Sequence, residues 1–146
     1  MKLRYLLGAL VLLLSFALTA CGGTNSATSA PAGSITVNVI ENDYTISSSI
    51  TTFTPGQLYH FVVANNGGIT HEFMIMSKDE GSMAGMSMDD MDKKALVMLD
   101  NIGPGDIKSV DYTFPESTAG THPQFACYIA GHYESGMKQD ITVAAQ

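Results

Sequence analysis

Residues 125–137 read F-A-C-Y-I-A-G-H-Y-E-S-G-M, and this stretch carries the strongest signal in the chain. It places Cys127, His132 and Met137 at the spacing C-x4-H-x4-M, directly before a run that favours a β-strand. Another histidine, His71, opens an earlier β-type run after a glycine-rich turn. Short strands and their loops can bring such distant residues together at one end of a sheet. We therefore expect these four residues to share one site.

The four side chains form a donor set that suits copper. A thiolate from Cys127 and two imidazoles give a trigonal plane, and a thioether can serve as a weak axial ligand. The sulfur ligands hold Cu(I) while imidazole tolerates Cu(II), so one site accommodates both oxidation states. The pattern predicts one copper ion bound by His71, Cys127, His132 and Met137.

The sequence around this stretch is of β type throughout. Short runs rich in β-branched and aromatic residues alternate with Gly, Pro and Asn, which predicts an all-β sandwich or barrel of seven to eight strands. A turn is predicted at 101–106, and a short helix is compatible with 89–96. Residues 77–94 are polar, acidic and rich in Met, which predicts a long loop. The predicted strands are 35–40, 57–64, 71–76, 95–99, 107–114, 121–127 and 139–144.

The amino terminus has the features of an export signal. Two basic residues precede an apolar run that is too short for a comfortable membrane span. The run ends in L-T-A-C at 18–21, which resembles the lipobox of bacterial lipoproteins. Residues 1–20 are predicted to be a lipoprotein signal peptide and Cys21 to carry a lipid anchor. An ordinary secretory signal is the alternative.

Residues 21–33 contain no large apolar side chain and are predicted to be a flexible linker. Residues 34–146 then form one domain. Loss of the signal peptide takes the formal charge from −7 to about −9, which argues against nucleic acid and favours a basic partner. Cys127 is left without a second cysteine for a disulfide, which is unusual in an exported domain and is consistent with a metal ligand.

These motifs resemble those of the cupredoxins, the type 1 blue copper proteins. The resemblance covers 34–146 and is strongest in T-H-E-F at 70–73 and in 127–137, whose spacing is similar to that of rusticyanin, sulfocyanin and auracyanin. It implies a Greek-key sandwich, ring-nitrogen ligation by the two histidines and His132 as the electron port. An apolar docking rim is implied at residues 128–130 and 133. Many cupredoxins have Asn after the first histidine, bracing the ligand loops, where this chain has Glu72. An inward Glu72 would favour Cu(II), and an outward one would change little.

The predicted loop contains four methionines within nine residues, Met83, Met86, Met88 and Met91. Thioethers are soft ligands, so these residues are a candidate secondary Cu(I) site. The alternative is that they pack on the sandwich as flexible gap-fillers.

The donor set favours one-electron transfer by a protein that is not itself an enzyme. We expect a monomer held on the outer face of a membrane, with redox protein partners such as a cytochrome or an oxidase complex. The Met-rich loop keeps a second class open, namely copper storage, delivery or resistance. A catalytic cysteine nucleophile, with a histidine as base, is a weaker rival because it leaves Met137 unexplained.

Overall fold

The computed structural model describes residues 28–77 and 87–145, with residues 88 and 89 described by their backbone alone. Strands dominate this part of the chain. They are β1 (Ile35–Asn42), β2 (Thr45–Ser48), β3 (Thr52–Phe53), β4 (Leu58–Asn65), β5 (His71–Met76), β6 (Ala95–Ile102), β7 (Ile107–Thr113), β8 (Gln124–Ala126), β9 (Lys138–Asp140) and β10 (Thr142–Val143). The short helix α1 (Met88–Asp92) precedes β6, and a 3-10 turn lies at Glu116–Thr118.

Two four-stranded sheets form the sandwich. One has the order β2-β1-β4-β7, in which β1 and β4 are parallel, and the other has the order β6-β5-β8-β9. The pair β3 and β10 adds a small parallel ribbon. The chain crosses between the two sheets from β4 to β5 and from β6 to β7, which confirms the predicted all-β sandwich.

The core lies between the sheets and is built largely from phenylalanine. Alternation along β1 buries Val37 and Val39 on one face, as expected for a strand with one face in the core. Phe61, Phe73 and Phe125 join the two sheets through ring contacts of 5.1–6.0 Å. Burial of each such ring contributes about 1.5–3 kcal/mol, so aromatic packing is a large source of stability in the sandwich.

Strand β5 is buried on both faces, and this explains the apolar run at residues 73–76. Phe73 and Ile75 enter the main core, whereas Met74 and Met76 point to the opposite face of the sheet. There they pack with Met91 of α1, in a second apolar cluster that also contains Ala126 and Tyr128. Helix α1 thus covers the outer face of this sheet.

The strand count differs from the predicted seven or eight. Strands β2 and β3 were not predicted, because β2 reads TISS with only Ile46 buried and β3 has two residues. The predicted last strand is interrupted at Ile141, whose amide donates to Pro123 instead of continuing a ladder. The remaining predicted strands and the short helix are confirmed within a few residues at their ends.

Several predictions concern residues outside the described ranges. They are the signal peptide, Cys21 with most of the linker, and Met83 and Met86 of the Met-rich loop, together with the side chain of Met88. Within the described ranges, no helix is long and apolar enough to cross a membrane.

Candidate metal centre

Strand pairing brings His71 and Cys127 together. His71 begins β5 and Cys127 directly follows β8, and these strands run antiparallel with Met74 opposite Ala126. The start of one strand therefore lies beside the end of the other. Both side chains are fully buried, so their positions are set by the sheet and not by a mobile loop.

The loop from Cys127 to Met137 returns on itself to add the other two residues. Its ends are joined by the amide of Cys127, which donates to the Met137 carbonyl at 3.2 Å. Within the loop, the amide of Met137 donates to the His132 carbonyl at 3.0 Å. Gly136 has a φ of 105°, a conformation that other residues rarely adopt.

The donor atoms of three predicted ligands converge. His132 Nδ1 lies 3.3 Å from His71 Nδ1 and 3.3 Å from Cys127 Sγ. All three donor atoms lie within 4.8 Å of one another, although the two histidines are 61 residues apart in sequence. Met137 is also fully buried, and together the four residues form a type 1 copper-like site.

The protonation states suit a metal ligand. Burial, and secondarily His132, lower the pKa of His71, which favours the neutral imidazole that can ligate; Asp43 opposes this shift. Burial raises the pKa of the Cys127 thiol to about 11. A fully buried thiol with a raised pKa is a poor nucleophile, which argues against the catalytic-cysteine alternative.

The residues fit one copper ion. His132 Nδ1 lies 3.3 Å from each of the other two donor atoms, a spacing at which one soft cation could accept a lone pair from all three. None of the three clustered donors, His71, Cys127 and His132, is a carboxylate. Carboxylates would favour a harder cation. His132 is 7% exposed while the other three are completely buried, so it is the member of the set nearest solvent.

Glu72 is buried. Its Oε1 accepts a hydrogen bond of 2.7 Å from the backbone amide of Tyr128, which directly follows Cys127. Glu72 therefore ties β5 to the start of the ligand loop, the place where many cupredoxins are expected to use Asn. Burial raises the pKa of this carboxyl, although the hydrogen bond from Tyr128 opposes the shift.

One residue expected on the docking rim does not lie on the surface. Tyr128 is buried in the second apolar cluster and stacked on Tyr133 at 4.6 Å, so its predicted place on the rim was wrong. The reason is local: Tyr128 continues the outward face of β8 toward α1. Sequence reasoning missed Tyr44, which is 45% exposed. Its ring and that of His132 form a T-shaped pair with centroids 5.4 Å apart. Its position in the turn between β1 and β2 gave no signal for this contact.

Comparison with known proteins agrees with this geometry. Auracyanin from Roseiflexus castenholzii aligns at a TM-score of 0.60 and 21% identity, over 77% of this chain and 98% of that one. Auracyanin A of Chloroflexus aurantiacus, a blue copper protein, aligns at 0.62 and 17% identity, over 76% and 99% of the two chains. This chain has the cupredoxin fold. Auracyanin B shares it at a TM-score of 0.58 and 20% identity, over 84% of this chain and 96% of that one.

A relative of this chain is found by sequence as well. The copper-resistant cuproprotein CopI of Rubrivivax gelatinosus is 29% identical over 114 residues, which are 74% of this chain and 66% of that protein. The chain thus spans just under two thirds of the length of that relative. No protein-family model matches the chain.

Proposed function

We propose that this protein is a mononuclear type 1 copper protein that carries single electrons between redox partners outside the cytoplasm. The observation that carries the proposal is the convergence of His71 Nδ1, His132 Nδ1 and Cys127 Sγ in a buried site, with Met137 buried at the end of the same loop. A donor set held by strands and a closed loop changes little between Cu(II) and Cu(I), which keeps the barrier to electron transfer low.

The same observations support a carrier in preference to an enzyme. His132 is the ligand nearest solvent, and the exposed Tyr44 and Ile69 lie close to the two histidines in space or in sequence. An electron can pass through such an edge without a substrate reaching the metal. We propose that redox protein partners dock here, that the acidic chain favours basic ones, and that the lipobox-like ending at Cys21 keeps the protein at a membrane surface.

Copper storage, delivery or resistance is the second candidate, and the similarity to CopI favours it. In this role the methionines of the 77–94 loop would bind Cu(I) and redox cycling would be incidental. Met91 is 8% exposed and packs beside Met74 and Met76, so this one residue supports the packing alternative.

An anaerobic copper titration of the purified protein, with visible absorption and Cu(II)/Cu(I) voltammetry, separates the two. We expect one copper per chain, an intense visible band from the thiolate and rapid reversible cycling. A site that binds several Cu(I) ions and gives neither the band nor reversible cycling would refute the electron-carrier proposal.

The role of the methionine loop is tested by replacing Met83, Met86, Met88 and Met91 together with Leu, which keeps their volume. Met98→Leu is the matched control, because Met98 packs in the second cluster but lies outside the loop. Copper handling through the loop predicts a lower Cu(I) stoichiometry in the fourfold variant alone. Unchanged stoichiometry and Cu(I) affinity would assign these residues to packing.

A further inference from the structure

The imidazole of His71 has a second nitrogen that the copper site leaves unused. Nδ1 faces the other donor atoms, while Nε2 is completely buried and has no hydrogen-bond partner in the described parts of the chain. The carboxylate of Asp43 lies near it, with Oδ1 3.6 Å from Nε2. A ring nitrogen on the far side of a metal-ligating histidine usually donates its proton to such a group.

Asp43 is held in this position by the neighbouring backbone. It lies in the tight turn between β1 and β2, which Tyr44 completes with a φ of 65°. The amide of Gly68 donates to Asp43 Oδ1 at 2.8 Å, which orients the carboxylate toward the loop before His71. The contact therefore joins the two sheets of the sandwich across the candidate metal centre.

The glycine at position 67 is required for this contact. A Cβ on Gly67 would collide with Asp43 Oδ1 and would lie 3.0 Å from His71 Nε2. The same residue is fixed by its amide, which donates to Asn65 Oδ1 at 2.8 Å. The backbone thus leaves a side-chain-free opening between the carboxylate and the imidazole.

We propose that Asp43 is a positioning residue for the copper centre, accepting the Nε2 proton of His71 and so presenting the Nδ1 lone pair to the metal. The inference rests on the proposed function. The carboxylate fixes the tautomer and ring orientation of His71 and increases the basicity of its other nitrogen. Its negative charge favours Cu(II) over Cu(I), so it lowers the reduction potential.

The turn that carries Asp43 contacts both histidines of the site. Tyr44 meets His132 ring edge to face at an interplanar angle of 78°, next to the carboxylate that faces His71. Sequence reasoning had no reason to select this turn, because its residues are exposed and polar. We infer that the turn from β1 to β2 forms part of the centre although it provides no ligand.

The test compares Asp43→Asn with Asp106→Asn. The first change removes the charge but keeps an oxygen for Gly68. Asp106 is a matched control because its Oδ2 accepts from the amide of Gly103 at 2.9 Å in another turn and has no described contact with a histidine. The carboxylate of Asp43 is 47% exposed, so its charge is partly screened. We expect the ratio of Cu(II) to Cu(I) affinity to fall about tenfold in Asp43→Asn alone, which raises the potential by about 59 mV.

A second readout follows the proton itself. Nitrogen-15 NMR of His71 in the Cu(I)-loaded and the metal-free protein should show Nε2 protonated, with that tautomer less populated in Asp43→Asn. Equal potentials in the two variants and the wild type, or equal shifts in both variants, would overturn the inference, as would an unchanged tautomer. If the wild-type protein bound no copper, the proposed function would fail, whereas the tautomer in the metal-free protein would still decide the contact between Asp43 and His71.

Discussion

Two buried carboxyl groups, those of Glu72 and Glu41, lie near the centre. They differ in whether a hydrogen-bond donor reaches them. Glu72 has a backbone amide as its partner, from Tyr128. Glu41 lies on the inward face of β1, completely buried, and neither of its oxygens has a hydrogen-bond partner among the described residues. Burial, together with the nearby Glu72, raises the pKa of Glu41 to about 8. At neutral pH Glu41 is therefore a neutral acid in an apolar core.

This state predicts a stability that falls as the pH rises. Between pH 4.5 and about 8 the unfolded chain releases the proton of Glu41 while the folded chain keeps it, so ionisation favours unfolding in that range. The free energy of unfolding that depends on Glu41 is therefore highest below pH 4.5 and declines up to about pH 8. Glu41→Gln should remove the decline and raise the free energy of unfolding at pH 8 by about 4 kcal/mol.

Urea unfolding of the copper-free protein between pH 5 and 9 measures the effect of Glu41. Glu134→Gln is the control, because Glu134 is exposed and loses the same charge without any relief of burial. If the free energy of unfolding of Glu41→Gln depended on pH as it does in the wild type, the decline could not be assigned to this residue.

At the scale of elements, the ligand loop between β8 and β9 is closed by its own backbone. The hydrogen bond from the Cys127 amide to the Met137 carbonyl holds these two sulfur-containing residues at adjacent ends of one loop. The His132 carbonyl accepts a second hydrogen bond, from the amide of Met137. The turn before Met137 depends on Gly136, which has a φ of 105° and open space where a Cβ would be. Backbone conformation, and not crowding, therefore requires glycine at this position.

Gly136→Ala should strain the loop by about 1–3 kcal/mol and displace Met137, weakening copper binding. Gly105→Ala is the matched control, since Gly105 has a φ of 80° and equally open space but lies in the turn between β6 and β7. Thermal unfolding should show a loss of stability in both variants, and copper titration a loss of affinity in Gly136→Ala only. Copper binding equal to that of Gly105→Ala would show that the loop does not depend on this conformation.

At the scale of the whole molecule, most of the core consists of side chains that cannot bind a metal ion. The phenylalanines that join the two sheets have no metal-binding atoms, although Cys127 and Met137 pack in the same cluster. By contrast, the centre gathers residues from β5, from the loop after β8 and, through Asp43, from the other sheet. Copper should therefore stabilise a fold that already exists.

Removing copper should leave the far-ultraviolet circular dichroism unchanged and lower the free energy of unfolding. At free copper 100 times the dissociation constant the gain is about 2.7 kcal/mol, because the unfolded chain does not hold the ligands together. Urea unfolding with and without copper measures this gain, and Cys127→Ser, which removes the thiolate, should lose it. Loss of strand signal in the copper-free protein would show instead that the metal is needed for folding.

Much of this protein was readable in sequence because its signals are local. Alternation along β1, the apolar run of β5 and the turn residues after β6 predicted the strands, and the spacing of Cys127, His132 and Met137 predicted the centre. Each signal rests on preferences of residues close together in the chain, which act before any tertiary contact forms.

Contacts between distant elements were decided only by the tertiary structure. Three features depend on how strands from different parts of the chain meet. They are the burial of Tyr128, the hydrogen bond between Glu72 and Tyr128, and the positions of Asp43 and Tyr44 beside the two histidines. Strand β2 likewise forms because β1 offers it an edge, since its own sequence is largely polar. The sequence by itself, at His71 and within residues 127–137, determined which donors this protein has, because ligand chemistry belongs to side chains. Packing of the two sheets decided what surrounds those donors, because burial and charge at a site are set by every element that reaches it.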